Sequence, residues 1–148
     1  ENAVTCQLKA TNKEDVIREL VGLLVKTGSI KDKDVPKIMR ILMDREALGS
    51  TGIGQGVAIP HGKTDSVSRL VGAVGIAAHG LNFDSLDGES TKIFFLLVAP
   101  QDSAGPHLKA LARISRLLKE RHFREGLIAA KEEKTLLRIL RDEDQRYR

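Results

Sequence analysis

The chain has 148 residues, 41% of them apolar, which suits one domain spanning 1–148 around one sizeable core. Aromatic residues make up only 3%, with no Trp, so the core must come from Leu, Ile, Val and Ala, and the stacking platforms of single-stranded nucleic-acid binders are argued against. The net charge of +4 is spread along the chain among acidic neighbours, the single cysteine (Cys6) excludes an intramolecular disulfide, and no apolar run approaches the roughly 20 residues that span a bilayer.

In chain order, Val4 to Leu8 reads as a short strand, with Cys6 a small core residue in it. Asn12 is a good N-cap for a helix through about Lys26, on which Val16, Ile17, Leu20, Val21 and Leu24 share one face, and Gly28 stops it. A second helix turns Val35, Ile38, Met39, Leu42 and Met43 inward, carries Pro36 in its first turn, and ends near Arg45 to Leu48. The glycine-rich stretch from Gly49 follows. Val57 to Ile59 reads as a buried strand ended by Pro60, which has no N–H to give a ladder.

Leu70 to Ala78 is a strand interrupted by Gly72 and Gly75, packed closely by a neighbour or bent, and ended by His79-Gly80. Asn82 to Gly88, with Phe83, is a turn-rich connection. Lys92 to Val98 is continuous and apolar, hence a central strand, and Pro100 ends it. A helix starts near Ser103-Ala-Gly-Pro106 and should bury Leu108, Leu111, Ile114 and Leu118. Phe123 to Ala130 and Thr135 to Leu140 are further helices, and Asp142 to Arg148 is polar and expected to fray. Helices around a small set of strands make a layered α/β domain.

The most informative stretch is Ser50-Thr-Gly-Ile-Gly-Gln-Gly-Val-Ala-Ile-Pro-His61-Gly-Lys63. Its glycines allow close approach to a ligand, and clustered backbone N–H groups suit an anion such as phosphate. Gly54 and Gly56 are the candidate phosphate-binding positions, with Lys63 as a nearby charge. The spacing is neither a nucleotide P-loop nor a dinucleotide fingerprint. His61 places an imidazole beside this loop, and imidazole serves as base, ligand or nucleophile. Read from the residues alone, the stretch fits a glycine-rich surface turn with an exposed histidine equally well.

Other residues carry weaker signals. His107 follows Pro106 in the first turn of a helix, where backbone N–H groups and the macrodipole favour an anion and disfavour an imidazolium. Read blandly, it faces solvent. Arg45 is either a phosphate or carboxylate partner or a helix C-terminal arginine on the dipole. His79 reads as a strand-end residue and His122 as a helix-start residue. Asp65, Asp84, Asp87 and Asp102 show no short metal-ligand spacing with the histidines, and there is no Gly-x-Ser-x-Gly elbow, so no metal site or hydrolase is expected. Arg113, Arg116, Lys119, Arg121 and Arg124 form a basic excess that reads as a solvated helix face; the other reading is a docking surface or a field that concentrates phosphate.

The stretch ending in Ala58-Ile59-Pro60-His61-Gly62-Lys63 resembles the phosphorylation-site signature of enzyme IIA domains of the bacterial phosphoenolpyruvate:sugar phosphotransferase system, fructose/mannitol class, which includes nitrogen-regulatory proteins. The resemblance covers nearly the whole chain. It implies a three-layer α/β sandwich with a mixed central sheet flanked by helices on both faces. It implies that His61 accepts the phosphoryl group, on Nε2 in the family, and that His107 and Arg45, at matching spacings, complete a catalytic site. No cofactor or metal is implied.

The implied partners are an HPr-like phosphocarrier, or its nitrogen-branch counterpart, as donor and the cysteine of a IIB domain as acceptor. Alternatively, the phosphorylation state regulates other proteins. No nucleic acid is involved, a membrane enters only through a IIC permease partner, and the cytoplasm is the expected compartment. A third, remote class is a fold relative without phosphorylation, like the anion-exchanger cytoplasmic domain, and the intact His61 motif argues against it.

Overall fold

The computed structural model describes residues 4–5, 8–10, 12–47, 52–54, 56–68, 70–81, 90–101 and 104–146. Cys6 and the predicted Asn82–Gly88 connection lie outside them. Six strands, β1 (Val4–Thr5), β2 (Gly52–Gly54), β3 (Val57–Ala58), β4 (His61–Thr64), β5 (Val71–Leu81) and β6 (Thr91–Pro100), form one sheet. Its order is β1-β5-β6-β3-β2, with β4 also paired to β6. The sheet is mixed: β1 runs parallel to β5, and β3 and β4 parallel to β6, while β5–β6 and β2–β3 are antiparallel.

Strand β6 organises both layers. Side chains alternate across a strand, so Phe94, Leu96 and Val98 face one side and Ile93, Phe95 and Leu97 the other. The first set packs under α1 (Lys13–Lys26) and α2 (Val35–Ala47), with Val16, Ile17, Leu20, Val21, Leu24, Ile38, Met39 and Leu42. The second packs under α3 (Ala104–Leu117), α4 (Arg121–Ala129) and α5 (Glu133–Arg146), through Leu117, Phe123, Leu127 and Leu136. This is the expected three-layer arrangement. Position 75 must be glycine-sized because a Cβ there would lie 2.7 Å from Leu8 and 2.8 Å from Leu20.

Helix α1 starts where its cap requires: the Asn12 side chain accepts from the Asp15 N–H at 2.9 Å. At the start of α2, Lys37 pairs with Asp65 just past β4. Its ammonium holds the exposed Asp65 carboxyl below its ordinary value of 3.8. The pair's small contribution is therefore present above that pH and is lost as pH falls through the lowered value.

Pro60 lies past a strand end as expected, with β3 stopping at Ala58 and β4 beginning at His61, and β6 keeps the register across the gap because Ala58 pairs with Phe94 and His61 with Leu97. Four expectations need correction. The glycine stretch is not all loop, since Gly52–Gly54 pairs with β3 as a strand. His79-Gly80 does not end β5. Gly80 adopts φ 74° at a register shift between Ile76 and Leu81, a bulge that lets the strand continue. Leu108 is 64% exposed instead of buried. At 100° per residue, the stripe through Leu111, Ile114 and Leu118 is in phase with position 107, and 108 lies well off its centre. Finally, α5 runs through Arg146, because polarity without Gly or Pro is no stop signal.

Candidate functional site

His61 opens β4, in line with β3 beside the central strand, and its side chain is half-buried. Backbone carbonyls alternate in direction along a strand. Pro60 O accepts from Leu97 N at 2.9 Å, so the Ile59 carbonyl points away from β6. The imidazole takes that carbonyl: His61 Nδ1 lies 2.7 Å from Ile59 O. A carbonyl oxygen only accepts, so Nδ1 must carry the proton, and the ring lone pair is left on Nε2. The Ile-Pro-His order thus sets the tautomer locally. Pro60 is buried.

Alternation also decides which neighbours share His61's side of the sheet. Gly62 and Thr64 face α2, with Ile38, Ile41, Leu42 and Val98 around them. A Cβ on Gly62 would lie 2.8 Å from Ile41 Cγ2, so only a glycine lets α2 pack this closely on β4. His61 and Lys63 therefore face the opposite side, over which α3 packs, and both are half-buried. The structure brings these two together.

Arg45 is one turn beyond Ile41, in the row Lys37–Ile41–Arg45. Lys37 pairs with Asp65 and Ile41 rests on Gly62, so the row runs antiparallel to β4. One more turn, about 6 Å, is roughly two strand residues. That sets Arg45 level with Pro60–His61. It is half-buried, across β4 from the ring. Among the described strands β4 pairs with β6 alone.

His107 lies in the first turn of α3, which begins shortly after β6 ends at Pro100. Helix α3 starts at Ala104, so Pro106 is its third residue, still among the positions whose N–H has no intrahelical partner. Position 107 is in phase with Leu111 and Ile114, which pack in the same cluster as Ile59 and Leu97. Sequence periodicity read with Leu108 in the stripe concealed this phase.

Gly54 and Gly56 are not brought to His61. They form the β2–β3 turn, where Gly56 has φ 79° and its carbonyl accepts from Lys92 N at 2.8 Å and Ile93 N at 2.9 Å. Along β6 that point is four residues from His61's partner Leu97, about 13 Å. Their glycine character serves the turn.

The remaining histidines fall away from this place. His79 is exposed within β5, with Nε2 3.2 Å from Ala10 O, and His122 is exposed at the start of α4. The basic residues do not form one face: Arg113 and Arg124 are half-buried, while Arg116, Lys119 and Arg121 are exposed across α3, α4 and their connection. Asp84, Asp87 and Asp102 lie outside the described residues. Among the described residues no three His, Cys, Asp or Glu side chains gather to hold a metal ion, and no helix is long and apolar enough to cross a membrane.

One residue was missed from the sequence. Glu46 continues the inward stripe of Ile38, Met39 and Leu42 and is 5% exposed, paired with Lys13 at 2.9 Å. A carboxylate four residues after Leu42 in an apolar stripe is the signal that could have found it.

Residues 1–143 match the family of the phosphoenolpyruvate-dependent sugar phosphotransferase system, EIIA 2. The chain belongs to this family. The EIIA domain is 34% identical over 145 residues to the fructose-specific EIIABC component of Bacillus subtilis, covering 98% of this chain but 22% of that protein. Nitrogen regulatory protein IIA-Ntr from Neisseria meningitidis has the same fold at a TM-score of 0.83 and 31% identity, over 94% of this chain and 93% of that one. The complex of enzyme IIA-mannitol with phosphorylated enzyme IIB-mannitol from Escherichia coli shares the fold alone, at 22% identity and a TM-score of 0.79, over 95% of each chain.

Proposed function

We propose that this EIIA domain accepts a phosphoryl group from an HPr-like phosphocarrier on His61 Nε2 and passes it to the cysteine of a IIB domain in sugar uptake. The observation that carries this reading is the 2.7 Å contact from Nδ1 to Ile59 O, which commits the Nδ1 proton to the backbone and the lone pair to Nε2. Transfer between two nucleophiles puts little covalent demand on the protein. Its work is to position the ring and to stabilise charge on the transferring oxygens. Lys63 shares His61's side of β4, Arg45 stands level with it, and the first turn of α3 offers backbone N–H groups and a helix dipole to an anion. In this reading Gly54 and Gly56 shape the chain and do not bind phosphate.

A regulatory reading is favoured by the likeness to IIA-Ntr, which covers nearly all of both chains. There the phosphorylation state of His61 would control protein partners, and flux to a IIB would be secondary. Phosphotransfer from the phosphorylated domain to a fructose-type IIB supports the transport reading. Capture of a partner that depends on His61 phosphorylation, with no transfer to any IIB, supports the regulatory one.

His107→Ala is expected to accept phosphate and to pass it on more slowly. A hydrogen bond to a charged group is worth about 1.5–3 kcal/mol, or roughly tenfold to a hundredfold in rate when made only in the transition state. Quench-flow transfer to a cognate acceptor measures this, and an unchanged rate removes His107 from the site.

Phosphorylation adds about two negative charges beside Lys63 and opposite Arg45. Amide shifts are expected to change near His61, Arg45 and the start of α3, leaving Thr91–Pro100 and α5 in place. Widespread shifts through β6 and the C-terminal helices would show a global rearrangement in place of a local change that a partner reads electrostatically.

A further inference from the structure

Glu46 is a carboxylate in the wrong place for stability alone. Its side chain is 2% exposed, in the apolar stripe that α2 turns toward α1. It sits in the last turn of α2, where the macrodipole repels a negative charge, and its partner Lys13 is the first residue of α1, where the dipole repels a positive one. Burying such a pair costs solvation that an apolar pair would not. What the pair supplies is a fixed point. It holds the final turn of α2 against the start of α1 at 2.9 Å, directly before the chain leaves toward β2. Arg45 is the adjacent residue in that turn.

We propose that the Lys13–Glu46 ion pair positions Arg45, and through it the transferring phosphoryl group at His61. The proposal rests on the reading of His61 as acceptor. Besides the burial of Ile38, Met39 and Leu42, three contacts bear on where α2 lies: Lys37 on Asp65 at its first turn, Ile41 on Gly62 at its middle, and Glu46 on Lys13 at its last. The first two fix the helix along β4. The third acts at the last turn, which carries the guanidinium. Helix ends fray, and an arginine there contributes to transition-state stabilisation only while its turn stays wound. Glu46 and Lys13 are thus positioning residues, acting through Arg45.

The test is a cycle of variants with phosphoryl acceptance from HPr as readout and amide spectra as the check on folding. Glu46→Gln keeps the shape of the side chain, and with Arg45 present it is expected to slow acceptance about tenfold, the size of one weakened charge-assisted hydrogen bond. In the Arg45→Ala background the same change is expected to leave the rate as it was. Lys13→Arg, which keeps the charge, is expected to stay within about twofold of wild type on that same scale. Equal slowing by Glu46→Gln with and without Arg45 would mark the pair as merely structural and overturn the proposal, while wild-type phosphorylation on His61 left the site reading intact. Wild-type protein that takes no phosphate on His61 would overturn the site reading and this proposal with it.

Discussion

His61→Ala is expected to abolish acid-labile phosphorylation by phosphoenolpyruvate, enzyme I and HPr, and to leave the fold unchanged. His79 and His122 are exposed and lie on other elements. The imidazole is also half-buried on a strand that Pro60 and Leu97 hold in register, so its loss removes the contact to Ile59 O and little packing. Amide spectra should overlay outside the neighbourhood of β4. Incorporation of radiolabelled phosphate at the wild-type level would reject His61 as the acceptor. An intact spectrum with no incorporation is the expected pairing.

Phe94→Ala is the largest expected loss of stability, about 3–5 kcal/mol. Phe94 has no exposed surface and lies at the middle of the central strand, under both α1 and α2. Its neighbours Ala73 and Ala77 on β5 are too small to fill the space. Against a typical total of roughly 5–15 kcal/mol, the loss takes a large share of what holds the domain together. Urea unfolding at constant m-value measures it. A loss below about 1 kcal/mol, the common scale for an ordinary substitution, would show that the layers repack around the gap.

The sequence declared the elements whose burial is one-sided and periodic. Asn12, the Val16–Leu24 stripe and the unbroken Lys92–Val98 run each state their own partners, because capping and apolar phase are local properties. Features that depend on a neighbour were not legible. Gly52–Gly54 has no alternation to announce a strand, and it exists because β3 lies beside it. Pro60 reads as a terminator and β3 does stop before it, but sequence did not show that a second strand, β4, resumes beyond it in the same register on β6.

At the site, His61 was legible from its motif, while the proton on Nδ1 was not, since it depends on which way the Ile59 carbonyl turns. Gly54 and Gly56 looked like ligand-binding glycines because sequence does not distinguish a cradle from a hairpin. Glu46 was hidden in plain order within α2, its meaning set by Lys13 on another helix.

The nitrogen that bears the phosphorus tests the account most directly. Protein labelled with 15N and phosphorylated through HPr would be read by imidazole 15N shifts and their coupling to 31P. The geometry predicts phosphorus on His61 Nε2, with the Nδ1 proton retained against Ile59 O. Phosphorus on Nδ1 of His61, or on His107, would contradict it.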